Sequence, residues 1–337
     1  MNPLVSVIVP SYNSIVTLEL CLRSVATQTY QPIELIVVDD ASTDGSAQVA
    51  RAMGATVVGT GSNSGQSVAR NLGAEHATGE ILFFLDSDVA LDPTGVEIAV
   101  SVLRDQPGVG AICGVYDAEP LLPGTLATRY RTAQQYVWFN EVEGTIPGLH
   151  TALFAIRAEV FAETGPFDPR LRHTEDQDYG YRLGRRYDVR VTTEIRGRHD
   201  HDATLRTILR KVFHRTRMGM PLWLRHRTLP GGAATGSRAL ASVAVAGAAA
   251  ALPLPLLVGP VGAVATPALV ATAIGLDAAT YRHVFATGGV GFGVYFTAVQ
   301  LLVTLTAAVA AGVGVAQYAL TRRPGPPQSH PTSHANA

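Results

Sequence analysis

Acidic residues are missing from one long stretch of this 337-residue sequence, and charge of either sign is missing from two others. No Asp or Glu occurs between Ala203 and Arg238, where Arg is frequent. No charged residue separates Arg238 from Asp277, or Arg282 from Arg322. Only 16% of the chain is charged against 47% hydrophobic, which is apolar for a soluble enzyme, and the net charge of −1 averages over unlike parts. Cysteine is scarce too. Cys21 and Cys113 lie far apart in apolar contexts, which argues against a disulfide framework and for buried, reduced thiols. The N-terminus has no basic stretch leading into a long apolar run, so no cleaved signal peptide is expected.

What is present up to about Asp202 is an alternation of strands and helices. LVSVIVP (4–10), IELIVVDD (33–40), ATVVGT (55–60) and EILFFLD (80–86) are β-branched or apolar runs, and helical spacing separates them, as at Leu18, Leu22 and Val25. This rhythm predicts an α/β fold, a mostly parallel Rossmann-like sheet with helices on both faces. Ligands of such sheets bind beyond the carboxyl ends of the strands. Asp39, Asp40, Asp86 and Asp88 all fall there.

Carboxylates gathered at one sheet edge repel one another, so a cation is expected among them. Alternation along a strand end would put Asp86 and Asp88 on one side, with Ser87 between. Hard divalent cations such as Mg²⁺ or Mn²⁺ take few protein carboxylates and complete their shell with phosphate oxygens and water, so a nucleotide diphosphate with its metal is the economical partner. One of Asp39 and Asp40 could equally serve as a turn former or helix cap. GTGSNSG (59–65) lacks the G-x-G-x-x-G spacing and follows the third strand, so it reads as a turn into a helix that carries Arg70.

VSVIVPSYNS, IELIVVDDASTDGS, SVARNLGAEHATGEILFFLDSD and GPFDPRLRHTEDQDYGYRL together resemble the family-2 glycosyltransferases of the GT-A fold, in order and spacing, over residues 4 to about 205. The resemblance implies that Pro10, Tyr12 and Asn13 line a nucleotide pocket, and that Asp40, with Asp39 beside it, holds the base or ribose. It places Arg70 near the nucleotide or its diphosphate. In the family's D-x-D motif, the first carboxylate (here Asp86) contacts the ribose or the metal shell, and the last (Asp88) ligates the metal. The Asp of T-E-D, here Asp176, would be the general base on an acceptor hydroxyl, with inversion at the anomeric carbon. His199 and His201 occur where members often place a histidine that completes the metal site, with His201 preferred, and the H-x-H pattern resembles rhamnosyltransferase-like members. His150 and Thr151 replace the commoner small or amide residues of the preceding loop.

Thr174 and Gln177 have capping-box spacing, which predicts a helix start with Asp176 in its first turn, where the helix dipole favours an ionised carboxylate. Asp178 and Arg182 are spaced for an i,i+4 pair.

Beyond residue 202 the expectations turn to the membrane. Residues 203–236 read as a basic amphipathic segment on anionic lipid rather than a nucleic-acid binder, because long uncharged runs follow it. Residues 237–321 hold two or three transmembrane helices (239–258, 261–276, 291–320), with Gly259-Pro260 as a hairpin turn. The Arg-rich approach predicts a multi-pass cell-membrane protein with a cytoplasmic catalytic domain over 1–202, and residues 322–337 should be a disordered tail. The function expected is transfer of a sugar from a nucleotide-diphosphate sugar to a hydroxyl of a lipid-linked or cell-envelope glycan. The alternatives are a polyprenyl-phosphate acceptor and a non-catalytic nucleotide-binding scaffold.

Overall fold

The computed structural model describes residues 2–171, 173–232 and 234–321, so the expected tail at 322–337 lies outside the described residues. The first half alternates as anticipated: β1 Val5–Ser11, α1 Ile15–Ala26, β2 Ile33–Asp39, α2 Ser46–Ala52, β3 Thr56–Gly59, α3 Gln66–His76 and β4 Ile81–Leu85. There follow β5 Val89–Leu91, α4 Gly95–Asp105, β6 Val109–Tyr116, α5 Leu126–Asn140, β7 Gly144–Thr145, β8 Leu153–Arg157, α6 Ala158–Thr164, α7 Glu175–Leu183 and β9 Asp188–His199. The strands make one sheet in the order β3-β2-β1-β4-β8-β6-β9-β5, with β7 on β9. The first four are mutually parallel; β8 runs antiparallel to both β4 and β6.

Strand alternation sorts the core into two layers. Val5, Val7 and Val9 face one way and pack with Leu18, Leu22 and Val25 of α1, while Ile8, Ile36 and Val38 face the other, towards Ala69 of α3. Each such buried side chain contributes about 1.5–3 kcal/mol, so both faces hold the strand ends rigidly. Gly73 sets how closely α3 lies: a Cβ there would stand 2.3 Å from Ile8 Cγ2. That close approach brings Arg70, one turn earlier, under the sheet edge.

The second half is helical: α8 Leu205–His226, α9 Gly236–Ala251, α10 Leu254–Val258, α11 Ala265–Gly275 and α12 Ala278–Thr321. Among the described residues only α12 is long and apolar enough to cross a membrane, over Ala278–Leu320. The expected 239–258 span is interrupted, because α9 stops at Ala251 ahead of Pro253. α9 and α11 have 16 and 11 residues, short of the roughly 20 that a span needs. α12 is itself broken at Gly289 (φ 75°, ψ 173°). Tyr281 and Phe296 would lie about 22 Å apart on a straight helix, yet their ring centroids are 6.0 Å apart. The arm 278–288 therefore folds back on the arm 290–321.

α8 packs much of its apolar side on protein. Its apolar residues Leu205, Ile208, Leu209 and Val212 share a cluster with Phe292, Phe296, Val299 and Val303, and further along, Gly314 comes against Arg217 and Met220. Contacts advance together along both helices, so α8 runs in the same direction as the second arm of α12 and covers it. Part of its apolar side is covered by protein, while Met218 and Leu224 stay exposed together with Arg206, Arg210, Lys211, His214 and Arg215.

Candidate active site

Asp86 leaves the end of β4 with its N–H donated to Ala152 O (2.8 Å), and its own carbonyl accepts from Val89 N–H (3.0 Å). Asp86 to Val89 is thus a tight turn between β4 and β5, and Asp86 and Asp88 are presented by that turn instead of by strand alternation. The cation expected among the carboxylates is in part the protein's own. Arg70, 1% exposed, donates from Nη2 to Asp86 Oδ1 at 2.8 Å, and its Nη1 lies 3.5 Å from Glu175 Oε1. Gln66 donates to the same Glu175 oxygen. A buried chain Asp86–Arg70–Glu175 so ties the end of β4 through α3 to the start of α7, where Asp176 follows.

Asp176 sits in the first turn of α7 with Gln177 N–H on its Oδ1 (2.7 Å). Burial, reinforced by the neighbouring Glu175 charge, pushes its carboxyl from 3.8 up to about 7, against the pull of Arg215. The expected capping box does not form. Thr174 is the N-cap residue but makes no side-chain cap bond, and Gln177 Oε1 accepts instead from Trp223 Nε1 of α8 (2.7 Å). Asp178 pairs with Arg182 at 2.9 Å, as spaced.

Asp88 remains 42% exposed in its side chain, and the low-dielectric walls around it push its carboxyl up to about 6. Burial likewise raises Asp86, which Arg70 counteracts. His199 lies opposite Val89 in the β5–β9 ladder, and its Nε2 is 3.6 Å from Asp88 Oδ2. His201 stands behind it. The two Nδ1 atoms are 3.0 Å apart, and His201 Nε2 is buried with no partner among the described residues. The geometry therefore puts His199, not the preferred His201, beside Asp88. Burial holds His199 down to about 4, so its imidazole is neutral near pH 7. In the tautomer in which His199 Nδ1 donates to His201 Nδ1, His199 leaves its Nε2 lone pair free on the side of Asp88. Asp88 and His199 suit a divalent cation that completes its shell with phosphate and water. They do not form a protein-only cage, since among the described residues no three His, Cys, Asp or Glu converge.

The nucleotide-side residues gather at the ends of β1 and β2. Tyr12 is half exposed just past β1, its ring free to take a planar ligand. Asn13 braces the 42–44 turn, accepting from Thr43 N–H (2.8 Å) and donating its backbone N–H to Ser42 Oγ (2.9 Å). Pro10 pairs with Val38 inside the sheet, and Asp39 accepts from Ser42 N–H at 3.3 Å. Asp40 is 4% exposed and receives Thr60 Oγ1 (2.6 Å), Ser64 N–H (2.8 Å) and Gly65 N–H (2.8 Å). Its carboxylate closes the GTGSNSG turn onto the start of α3, where the helix dipole favours it. His150 and Thr151 are inward-facing. The His150 ring stands edge-on to Phe139 at 4.5 Å, and Thr151 is 7% exposed.

Sequence reasoning missed four residues at this edge. Tyr116 stacks near His199 (4.8 Å) and His201 (5.6 Å). Lys211 Nζ meets Asp202 at 2.6 Å, Trp223 holds Gln177, and Arg215 acts on Asp176 by its charge. For the three on α8 the signal was the spacing Lys211, Arg215, then Trp223 on one side of the helix, and Tyr116 at the end of β6 had none.

Residues 6–165 match the family described as glycosyl transferase family 2. The glycosyltransferase AglE of Haloferax volcanii is 31% identical over 201 residues, covering 56% of this chain and 66% of that protein. An uncharacterized glycosyltransferase of Haemophilus influenzae is 28% identical over 192 residues, covering 53% and 62%. The chain thus spans less than two thirds of the length of either relative. Among solved structures, the mannosyltransferase PcManGT from Pyrobaculum calidifontis, in complex with GDP-Man and Mn²⁺, superposes with a TM-score of 0.56 at 20% identity, covering 96% of this chain and 89% of that one. Residues 6–165, which contain Asp39, Asp40, Asp86 and Asp88 at the sheet edge, thus form a glycosyl transferase family 2 region, and the superposition shows that the chain shares the GT-A fold of the mannosyltransferase.

Proposed function

We propose that the chain is a membrane-attached, metal-dependent, inverting glycosyltransferase that moves a sugar from a nucleotide-diphosphate sugar to a hydroxyl of a lipid-linked or cell-envelope glycan. The observation that supports this reading is the buried Asp86–Arg70–Glu175 chain, which ties the turn carrying Asp88, beside His199, to the helix start carrying Asp176. Donor binding falls to Tyr12 and the β1–β2 edge, with Asp39 and Asp40 shaping the turns around it. Asp176, raised towards neutrality by burial, is poised to take the proton of an acceptor hydroxyl as that oxygen attacks the anomeric carbon. Attack from the face opposite the departing nucleotide inverts the configuration. A divalent cation, Mg²⁺ or Mn²⁺, held by Asp88 and His199 would neutralise the charge gathering on the leaving diphosphate. The mannosyltransferase with bound Mn²⁺ and GDP-Man supports this choice of partners through the shared fold.

Attachment rests on the outer faces of α9 to α12, where Leu240, Val243, Leu256, Leu257 and Val309 are exposed. The Arg-rich run preceding them favours a catalytic domain on the cytoplasmic side. The test is transfer by the full chain in detergent from a panel of radiolabelled nucleotide sugars to envelope lipid extract. We expect Mn²⁺- or Mg²⁺-dependent product that EDTA abolishes, and Asp176→Asn to lose transfer while keeping nucleotide binding. Turnover unchanged in Asp176→Asn sinks the base assignment. Nucleotide-sugar binding with no transfer to any acceptor favours a non-catalytic scaffold.

A further inference from the structure

We propose that the exposed basic side of α8 is a binding rim for a phosphate or diphosphate carried by the acceptor, with Arg215 as its central contact. The proposal rests on the glycosyltransferase reading above and names the acceptor class: an isoprenoid-type lipid phosphate that bears the hydroxyl or sugar to be modified.

Two anchors tie this side to the candidate site. Near one end, Lys211 Nζ is bonded to Asp202 Oδ1 at 2.6 Å, immediately after the His199–His201 pair. Towards the other, Trp223 Nε1 donates to Gln177 Oε1 at 2.7 Å, the residue next to Asp176. Arg215 is one turn beyond Lys211 and two turns short of Trp223, so it lies between the metal-side and base-side halves of the site. The opposite side of α8 packs on α12, so these cations lie on its outward side.

The cation at the centre has no anion of its own. Arg215 is exposed, and among the described residues no carboxylate lies within ion-pair distance of it or of Arg131 on α5, which is held by Gln134. The charge of Arg215 disfavours that of Arg131, and it also acts electrostatically on Tyr116 and Asp176. Such a pair is stabilised by an incoming anion. A guanidinium fork matches phosphate oxygens bidentately, which makes phosphate the better fit than a point-charge ligand. The donor's diphosphate belongs with Asp88 and His199 on the proposed reading. A phosphate at Arg215 would instead hold an acceptor whose hydroxyl is presented to Asp176, and the apolar flank of α12, one helix away, suits the lipid part of that molecule.

The test measures binding without turnover, so it stands apart from the transfer assay. The full chain in neutral detergent micelles, with EDTA present to disable the metal side, is titrated with farnesyl diphosphate and with farnesol. Intrinsic tryptophan fluorescence, to which Trp223 contributes, reads binding. We expect farnesyl diphosphate to bind, Arg215→Gln to weaken it at least tenfold, Arg215→Lys, which keeps the charge but loses the fork, to fall between the two, and farnesol to bind all three proteins alike. Added UDP or GDP should not compete. Equal affinity of Arg215→Gln and the unaltered chain for farnesyl diphosphate overturns the proposal. Competition by nucleotide also overturns it, since the phosphate bound would then be the donor's. Failure of the transfer assay with this binding intact would count against the enzymatic reading alone.

Discussion

At the scale of single residues, Asp176 carries the sharpest expectation. Its carboxyl is raised by burial and by Glu175 to about 7, and a general base works only when ionised. Transfer should therefore rise with pH and level off above about 7, and Asp176→Asn should remove that limb along with the activity. The same shift has a stability sign. A carboxyl raised above its ordinary 3.8 contributes stability that is fully present below that value and is lost as pH rises through about 7. Asp176→Asn cannot ionise, so its Tm should exceed that of the unaltered chain at pH 8 and match it near pH 4. Arg70 should behave oppositely. Arg70→Ala leaves Asp86 and Glu175 buried without their partner, an outcome that costs about 3–5 kcal/mol, measurable as a lowered urea midpoint. The residue types at this edge were legible in the sequence, because motif spacing and family resemblance point to the same aspartates. Their partners were not. Nothing in the local pattern says that Arg70 turns inward to Asp86, since that depends on how near α3 is drawn by Gly73 to Ile8.

At the scale of elements, local signals held where one element satisfied its own groups and failed where a distant one intervened. The strands ended where apolar runs met Asp39 and Asp86, and the i,i+4 pair of Asp178 and Arg182 formed within α7. The capping box of Thr174 and Gln177 did not, because Trp223, 46 residues on, takes the glutamine. The amphipathic pattern of α8 was real, but periodicity reports only that an apolar side is buried, not whether lipid or protein covers it. Gly289 is the element whose backbone decides most. Its φ of 75° with ψ of 173° belongs to a region that is essentially glycine's alone. Gly289→Ala should cost about 1–3 kcal/mol, seen as a lower thermal midpoint in detergent. Cysteines placed at Tyr281 and Phe296 should cross-link in the parent background and lose that reactivity as the reversal opens.

At the scale of the whole molecule, the helical half does not hang below the catalytic half. Tyr130 of α5 reaches Gln300 (2.6 Å), Trp138 reaches Asp277 (3.1 Å), and Arg238 bridges Asp277 (3.1 Å) and Glu141 (2.7 Å), so the helices are pinned along the flank of the sheet domain. The run of uncharged residues announced a membrane segment, but counting residues could not reveal a reversal inside it. The second arm of α12 lies against one side of α8, and the other side is tied to Asp202 and Gln177. A helix with its side chains is about 10–12 Å across. On the proposed reading, an acceptor resting on the outside of α12 would have only the width of a helix or two to travel before its hydroxyl met Asp176, and a lipid tail would not need to leave its leaflet for the sugar to arrive.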